Sequence, residues 1–205
     1  MSLRHPMALL AFAALSACGP EFEQAPTDTL DSVESSMATQ ACTTTRQLLA
    51  NPGFESGNVA WQVTQTTSKP IIANNLAQAR TGSWRAQLLG THMQAGDMMR
   101  QQVTVPTTAC TAEFTFWLKI TSTESGTDFV DSLRVFVTNS SGSVLETPLQ
   151  FDSRQAGAGY VKQTLPLFSS TNYRGQPIYV QFQTRYNGLT DTQFFVDDTA
   201  LTITE

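Results

Sequence analysis

The sequence predicts an all-β sandwich, and three observations point there. From Arg46 onward, short runs rich in Val, Ile, Thr, Phe and Tyr alternate with Gly, Asn, Ser and Asp clusters at roughly 8 to 15 residue spacing, the rhythm of strands and turns. Inside the longer runs, apolar and polar residues alternate with a period of two, which gives a strand one apolar face. No window of this part of the chain shows the 3.6-residue period of an amphipathic helix. About 160 residues are available for this pattern, the size of one domain with one core.

The elements follow in order. The run Leu48 to Gly57, LLANPGFESG, closes a short apolar strand with Asn51-Pro52-Gly53 and sets Phe54-Glu55 in the first turn, with Trp61 soon after. Ala112 to Ser122 places Phe114, Phe116, Leu118 and Ile120 on one face and Trp117 with Lys119 on the other. From Asp131 to Phe151, two strands are expected around the turn Asn139-Ser140-Ser141-Gly142, with Leu133, Val135 and Val137 in one row. Pro177 to Gly188 points Val180 and Phe182 inward and Tyr179, Gln181, Gln183 and Arg185 outward. Thr192 to Thr204 forms the last strand.

The start of the chain reads differently. Residues 1–17 carry Arg4 and His5, an apolar run from Met7 to Leu15 and then small residues, the pattern of a secretory signal too short for a membrane span. Leu15-Ser16-Ala17-Cys18 resembles the bacterial lipobox, which implies a lipid on Cys18 and an exported protein anchored to the cell envelope, at the outer membrane. Residues 18–41 hold five acidic and no basic residues and few groups able to build a core, so they read as a solvated tether. The folded domain then spans 42–205. With Cys18 assigned to lipid, Cys42 and Cys110 remain as an even pair, and in an exported chain such a pair suggests a disulfide.

Charge narrows the partners. The whole chain carries a net charge of −5, but from Cys42 onward 11 basic and 12 acidic residues nearly cancel. A near-neutral domain without a basic cluster in its sequence is a poor nucleic-acid binder.

A group of short motifs, taken together, resembles one family. Asn-Pro-Gly-Phe-Glu-Ser-Gly before Trp61, Thr81-Gly82-Ser83-Trp84 leading to Leu89-Gly90, Gln102 to Pro106, and Phe116 to Leu118 come first. Asp131 to Val135, Gly159-Tyr160 and the terminal Val196-Asp197-Asp198 complete the set. The pattern resembles the bacterial galactose-binding-like jelly rolls, among them the cellulose- and xylan-binding modules appended to secreted hydrolases and proteases. The resemblance covers Arg46 to Thr204 and implies a jelly-roll β-sandwich of two antiparallel sheets. It also implies a structural calcium held by Glu55, carbonyls around Thr81 to Trp84, and Asp197 or Asp198. Carbonyls and two or three carboxylates suit this hard cation. Strand alternation aligns Asp197 with Phe195, Leu201 and Ile203 as the inner ligand, leaving Asp198 at the rim.

Two other readings of these carboxylates stay open. They can cap turn amides or pair with an Arg without a metal, or they can act as a catalytic pair, which needs two carboxyl groups across a cleft. For a sugar platform, Trp117 with Lys119 and the row Tyr179, Gln181, Gln183, Arg185 have the right composition, provided they share a sheet. Trp61 and Trp84 are expected in the core. His92, Met93, Met98 and Met99 could be soft copper ligands but read as packing. His92 is the one His outside the signal, and no G-x-S-x-G elbow occurs, so a hydrolytic triad is not supported. The expected function is a non-enzymatic, lipid-anchored module that binds a glycan. The alternative is a structural or adhesive envelope protein with a protein partner.

Overall fold

The computed structural model describes residues 42–66, 68–89, 96–124, 131–167, 170–185 and 192–205. The chain divides into two units, Met1–Ala38 and Thr39–Glu205, and the described residues all belong to the second. The expected signal, Cys18, the expected tether, His92 and Met93 lie outside the described residues.

Eleven strands run through the described residues: β1 (Thr45–Gln47), β2 (Gln62–Thr64), β3 (Ile72–Asn74), β4 (Trp84–Leu89), β5 (Met98–Thr104), β6 (Thr111–Ser122), β7 (Ser132–Asn139), β8 (Leu149–Asp152), β9 (Val161–Pro166), β10 (Pro177–Arg185) and β11 (Thr192–Thr204). One sheet has the order β3-β4-β11-β6-β9, with β1 also on β11, and the other has the order β2-β5-β10-β7-β8. Every pairing is antiparallel. The two sheets make the predicted jelly-roll sandwich.

The expected strand faces hold. Phe114, Phe116, Leu118 and Ile120 of β6, Leu133, Val135 and Val137 of β7, and Val180 and Phe182 of β10 all lie in one buried cluster. Phe182 sits at the centre of an aromatic group, 5.0 Å from Phe116, 5.6 Å from Phe114 and 6.5 Å from Trp61, ring centre to ring centre. Trp61 in turn meets Phe54 at 5.3 Å. Each such buried ring contributes about 1.5–3 kcal/mol of burial. Trp84 is partly buried against this cluster, and Met99 lies fully within it.

Two local departures matter. The turn at Asn139 to Gly142 forms, with the Gly142 amide donating to the Asn139 carbonyl at 3.0 Å, but β8 begins only at Leu149, after a single bridge between Thr138 and Val144. In β11, the register against β6 shifts between Asp197 and Ala200, where Asp198 takes a φ of 45°. Before this bulge Phe194 and Val196 join the core, and after it Leu201 and Ile203 do. The extra residue reverses the parity of the strand. Asp197 therefore shares the outer face of Phe195 and not the inner face of Leu201, which corrects the simple alternation.

Cys42 and Cys110 form a disulfide with a Cα–Cα distance of 6.0 Å across 68 residues. It ties the chain just before β1 to the start of β6.

Candidate functional site

The outer face of the five-stranded sheet carries the row expected from the sequence, together with neighbours the sequence did not identify. Strand register places Tyr179 between Gln102 and Thr138, and Gln181 between Arg100 and Phe136. Gln183 lies between Met98 and Arg134, and Arg185 beside Ser132. Gln62 on β2 pairs with Arg100, and Gln150 on β8 pairs with Arg134. Tyr179, Gln181, Gln183 and Arg185 thus share one surface with two further arginines and further glutamines. The signal for Arg100 and Arg134 was present in the alternation of β5 and β7, but only the pairing shows that they flank β10.

The side chains on this face are held in place. The Arg100 guanidinium lies 4.5 Å from the Tyr179 ring centre and its Nε donates to Gln62 Oε1 at 3.0 Å. Tyr179 donates its hydroxyl proton to Gln102 Oε1 at 3.2 Å. Arg134 sits 5.5 Å over the Phe136 ring. Phe136 and Gln181 are buried between these long side chains, so the face is a paved surface and not a slot. A cavity of about 250 Å³ lies at the start of β10, beside Asn139, Tyr173, Gln176 and Pro177, and one of about 220 Å³ lies beside Gln155 and Val161. The partly exposed Tyr179 ring, three guanidinium groups and several side-chain amides are groups that stack on and hydrogen-bond to a sugar.

Trp117 and Lys119 do not join them. Both lie on β6 in the six-stranded sheet, which corrects the single platform expected from composition. The Arg80 guanidinium covers the Trp117 ring at 3.5 Å, and Lys119 stands 5.7 Å over Phe195. Arg85 approaches Phe195 from the other side at 5.2 Å and is buried, donating to Gln78 and Gln87. Its Nε and Nη1 have no hydrogen-bond partner among the described residues, and desolvation lowers its pKa.

The carboxylates meet at the bulge. β1 and β4 pair with the same edge of β11 on either side of residues 197–200, and two loops fill the gap between them. Glu55 accepts from the Ser83 and Trp84 amides, each at 3.0 Å. Asp197 Oδ2 accepts from the Arg80 amide at 2.7 Å and the Thr81 amide at 3.4 Å, and Oδ1 accepts from its neighbour Asp198 at 2.8 Å. Asp198 accepts from the Arg80 guanidinium at 2.5 Å and from Thr81 Oγ1 at 2.6 Å. Thr199 donates through its amide and its hydroxyl to the Pro52 carbonyl, at 3.0 and 2.8 Å. Gly82, at φ +61°, lies so close to Glu55 that a Cβ there would stand 2.2 Å from Oε1. First turn, Gly-Ser loop and last strand are thereby fastened together.

Asp197 is completely buried, and desolvation raises its pKa to about 6 against the opposing pull of the amides of Arg80, Asp198 and Thr81. Locked by three amides and out of reach of solvent, it is placed to hold structure and not to meet a substrate. A calcium ion needs about six to eight oxygens at 2.3–2.6 Å. Here the loop turns N–H groups toward Glu55 and Asp197, and Arg80 supplies the positive charge at Asp198. Among the described residues no group of three His, Cys, Asp or Glu is arranged to hold a metal ion. As folded, this donor set does not fit a calcium cage.

No protein-family model and no curated protein matches the chain. Solved structures do. A carbohydrate-binding module, TmCBM61, in complex with β-1,4-galactotriose superposes with a TM-score of 0.54 at 18% identity, over 76% of this chain and 97% of that one. A structure of carbohydrate-binding modules from the β-sandwich superfamily matches with a TM-score of 0.52 at 14% identity, over 73% of this chain and 60% of that one. An arabinose-bound α-L-arabinofuranosidase matches with a TM-score of 0.50 at 14% identity over 77% of this chain, but only 26% of the enzyme is involved. The chain folds as a jelly-roll β-sandwich like that of carbohydrate-binding modules. At these identities the likeness is one of fold.

Proposed function

We propose that the domain is a non-catalytic sugar-binding module whose ligand lies across the outer face of the five-stranded sheet. The observation that carries this reading is the joint placement of Tyr179, Gln181, Gln183, Arg100 and Arg134 on one face. A sugar ring stacks on Tyr179, while glutamine amides, each both donor and acceptor, match its hydroxyls. The test is an NMR titration of the full chain with a set of oligosaccharides that includes β-1,4-galactotriose. The side-chain amide signals of Gln102 and Gln183 should shift while the Trp117 indole signal stays put. Movement of Trp117 alone would reject the face.

Lipid anchoring is a companion proposal, supported by Leu15 to Cys18. Labelled palmitate should be incorporated by the wild type and not by Cys18→Ser. Calcium is a third proposal, and it requires an ion to displace Arg80 from Asp198 and oxygens to replace the loop amides. Melting that responds to a chelator and recovers with calcium would support it; melting indifferent to both would leave the amide-and-arginine clip as the whole fastening.

A further inference from the structure

Resting on the sugar-binding reading, we propose that the preferred ligand is an anionic glycan, with uronate carboxylates spaced along its chain. Register places Arg100, Arg134 and Arg185 on the same outer face. Asp152, the carboxylate that β8 contributes there, is tied to Arg154 Nη2 at 2.6 Å and to Arg154 Nε at 3.0 Å. The ion pair holds the Asp152 pKa low, so this carboxylate stays paired to Arg154 through the neutral range. The domain as a whole is nearly neutral, so three arginines with one neutralised acid make this surface locally cationic.

A neutral sugar needs no such charge. Stacking on Tyr179 and on Phe136 orients two of the guanidinium groups. A stacked guanidinium keeps its N–H edge free for a carboxylate, to which it bonds in a fork. With strands about 4.8 Å apart and residues about 3.4 Å apart, Arg134 and Arg185 stand roughly 8 Å from one another and Arg100 and Arg134 roughly 12 Å, Cα to Cα. A short oligosaccharide with repeated carboxylates spans those intervals.

The experiment measures binding of the full chain, with chelator present, to polygalacturonate, to its fully methyl-esterified form, to β-1,4-galactan and to single-stranded DNA, at low and at high NaCl. Polygalacturonate should bind best. Methyl esterification, high salt, Arg100→Gln and Arg134→Gln should each weaken binding about tenfold or more. Should a variant fail to fold, judged by its melting, the wild-type comparison of acid with ester decides. Equal or tighter binding of the methyl ester or the galactan overturns the anionic preference and leaves the sugar-binding reading standing. Equal binding of single-stranded DNA makes the face a general polyanion surface and overturns the proposal. No binding to any of these glycans or to the wider oligosaccharide set overturns both readings.

Discussion

Asp197 should make the domain more stable in mild acid than at neutral pH, opposite to the usual behaviour of a paired carboxylate. Burial raises its folded pKa from 3.8 to about 6. Between those values the folded state binds more protons than the unfolded state, so stability falls as pH rises through the window. A shift of this size corresponds to about 3 kcal/mol, present in full below the lower pKa and lost by the time pH passes the upper one. For a domain of this size that is roughly 6–12 °C in melting temperature. Asp152 acts in the other direction, because Arg154 lowers its pKa, but its effect falls at lower pH. The assay is thermal or urea unfolding from mildly acidic to neutral pH, for the wild type and Asp197→Asn. The wild type should lose stability across the window and the variant should show little slope. A wild type that gains stability with rising pH, or an Asp197→Asn variant with the same slope, would show that Asp197 is not the group that titrates in this window. Calcium bound to Asp197 would favour the ionised form and flatten the wild-type slope, so the same curves with added calcium also test the metal proposal.

Other substitutions read the remaining parts of the structure. Replacing Cys110 by Ser opens the 68-residue closure and should cost about 4 kcal/mol, seen as a lower urea midpoint that reductant no longer changes. Phe182→Ala removes the centre of the aromatic group and should cost about 3–5 kcal/mol in equilibrium unfolding. Gly82→Ala should destabilise by at least about 1 kcal/mol, because its φ is left-handed and the new Cβ would push Glu55 off the loop amides. Loss of the Glu55 contacts should appear as faster hydrogen exchange at Ser83 and Trp84.

The strands and their faces were legible because alternation is a local signal: β6, β7 and β10 bury the residues their sequences mark as apolar. The disulfide was legible from the cysteine count, which leaves Cys42 and Cys110 as a pair once Cys18 is set aside. Which strands share a sheet is not a local property, and so Trp117 and Tyr179 looked like parts of one platform when they lie on different sheets. The bulge in β11 was hidden for a related reason. One residue in the left-handed region reverses the parity on either side, and nothing in Val196-Asp197-Asp198 alone shows it. Glu55 and the two aspartates were correctly drawn to one place by the motifs, but only backbone orientation reveals that the loop meets them with N–H groups. An arginine partner for these carboxylates was one of the open readings, but nothing in the sequence singled out Arg80, which binds Asp198 and covers Trp117.

Sugar binding by the outer face of the five-stranded sheet can be read on an array of polysaccharides. The full chain, Tyr179→Ala and Trp117→Ala are applied side by side, each with its fold confirmed by melting. At least one glycan should be retained by the wild type and by Trp117→Ala and lost by Tyr179→Ala. Retention that survives Tyr179→Ala but not Trp117→Ala, or no retained glycan at all, would contradict it.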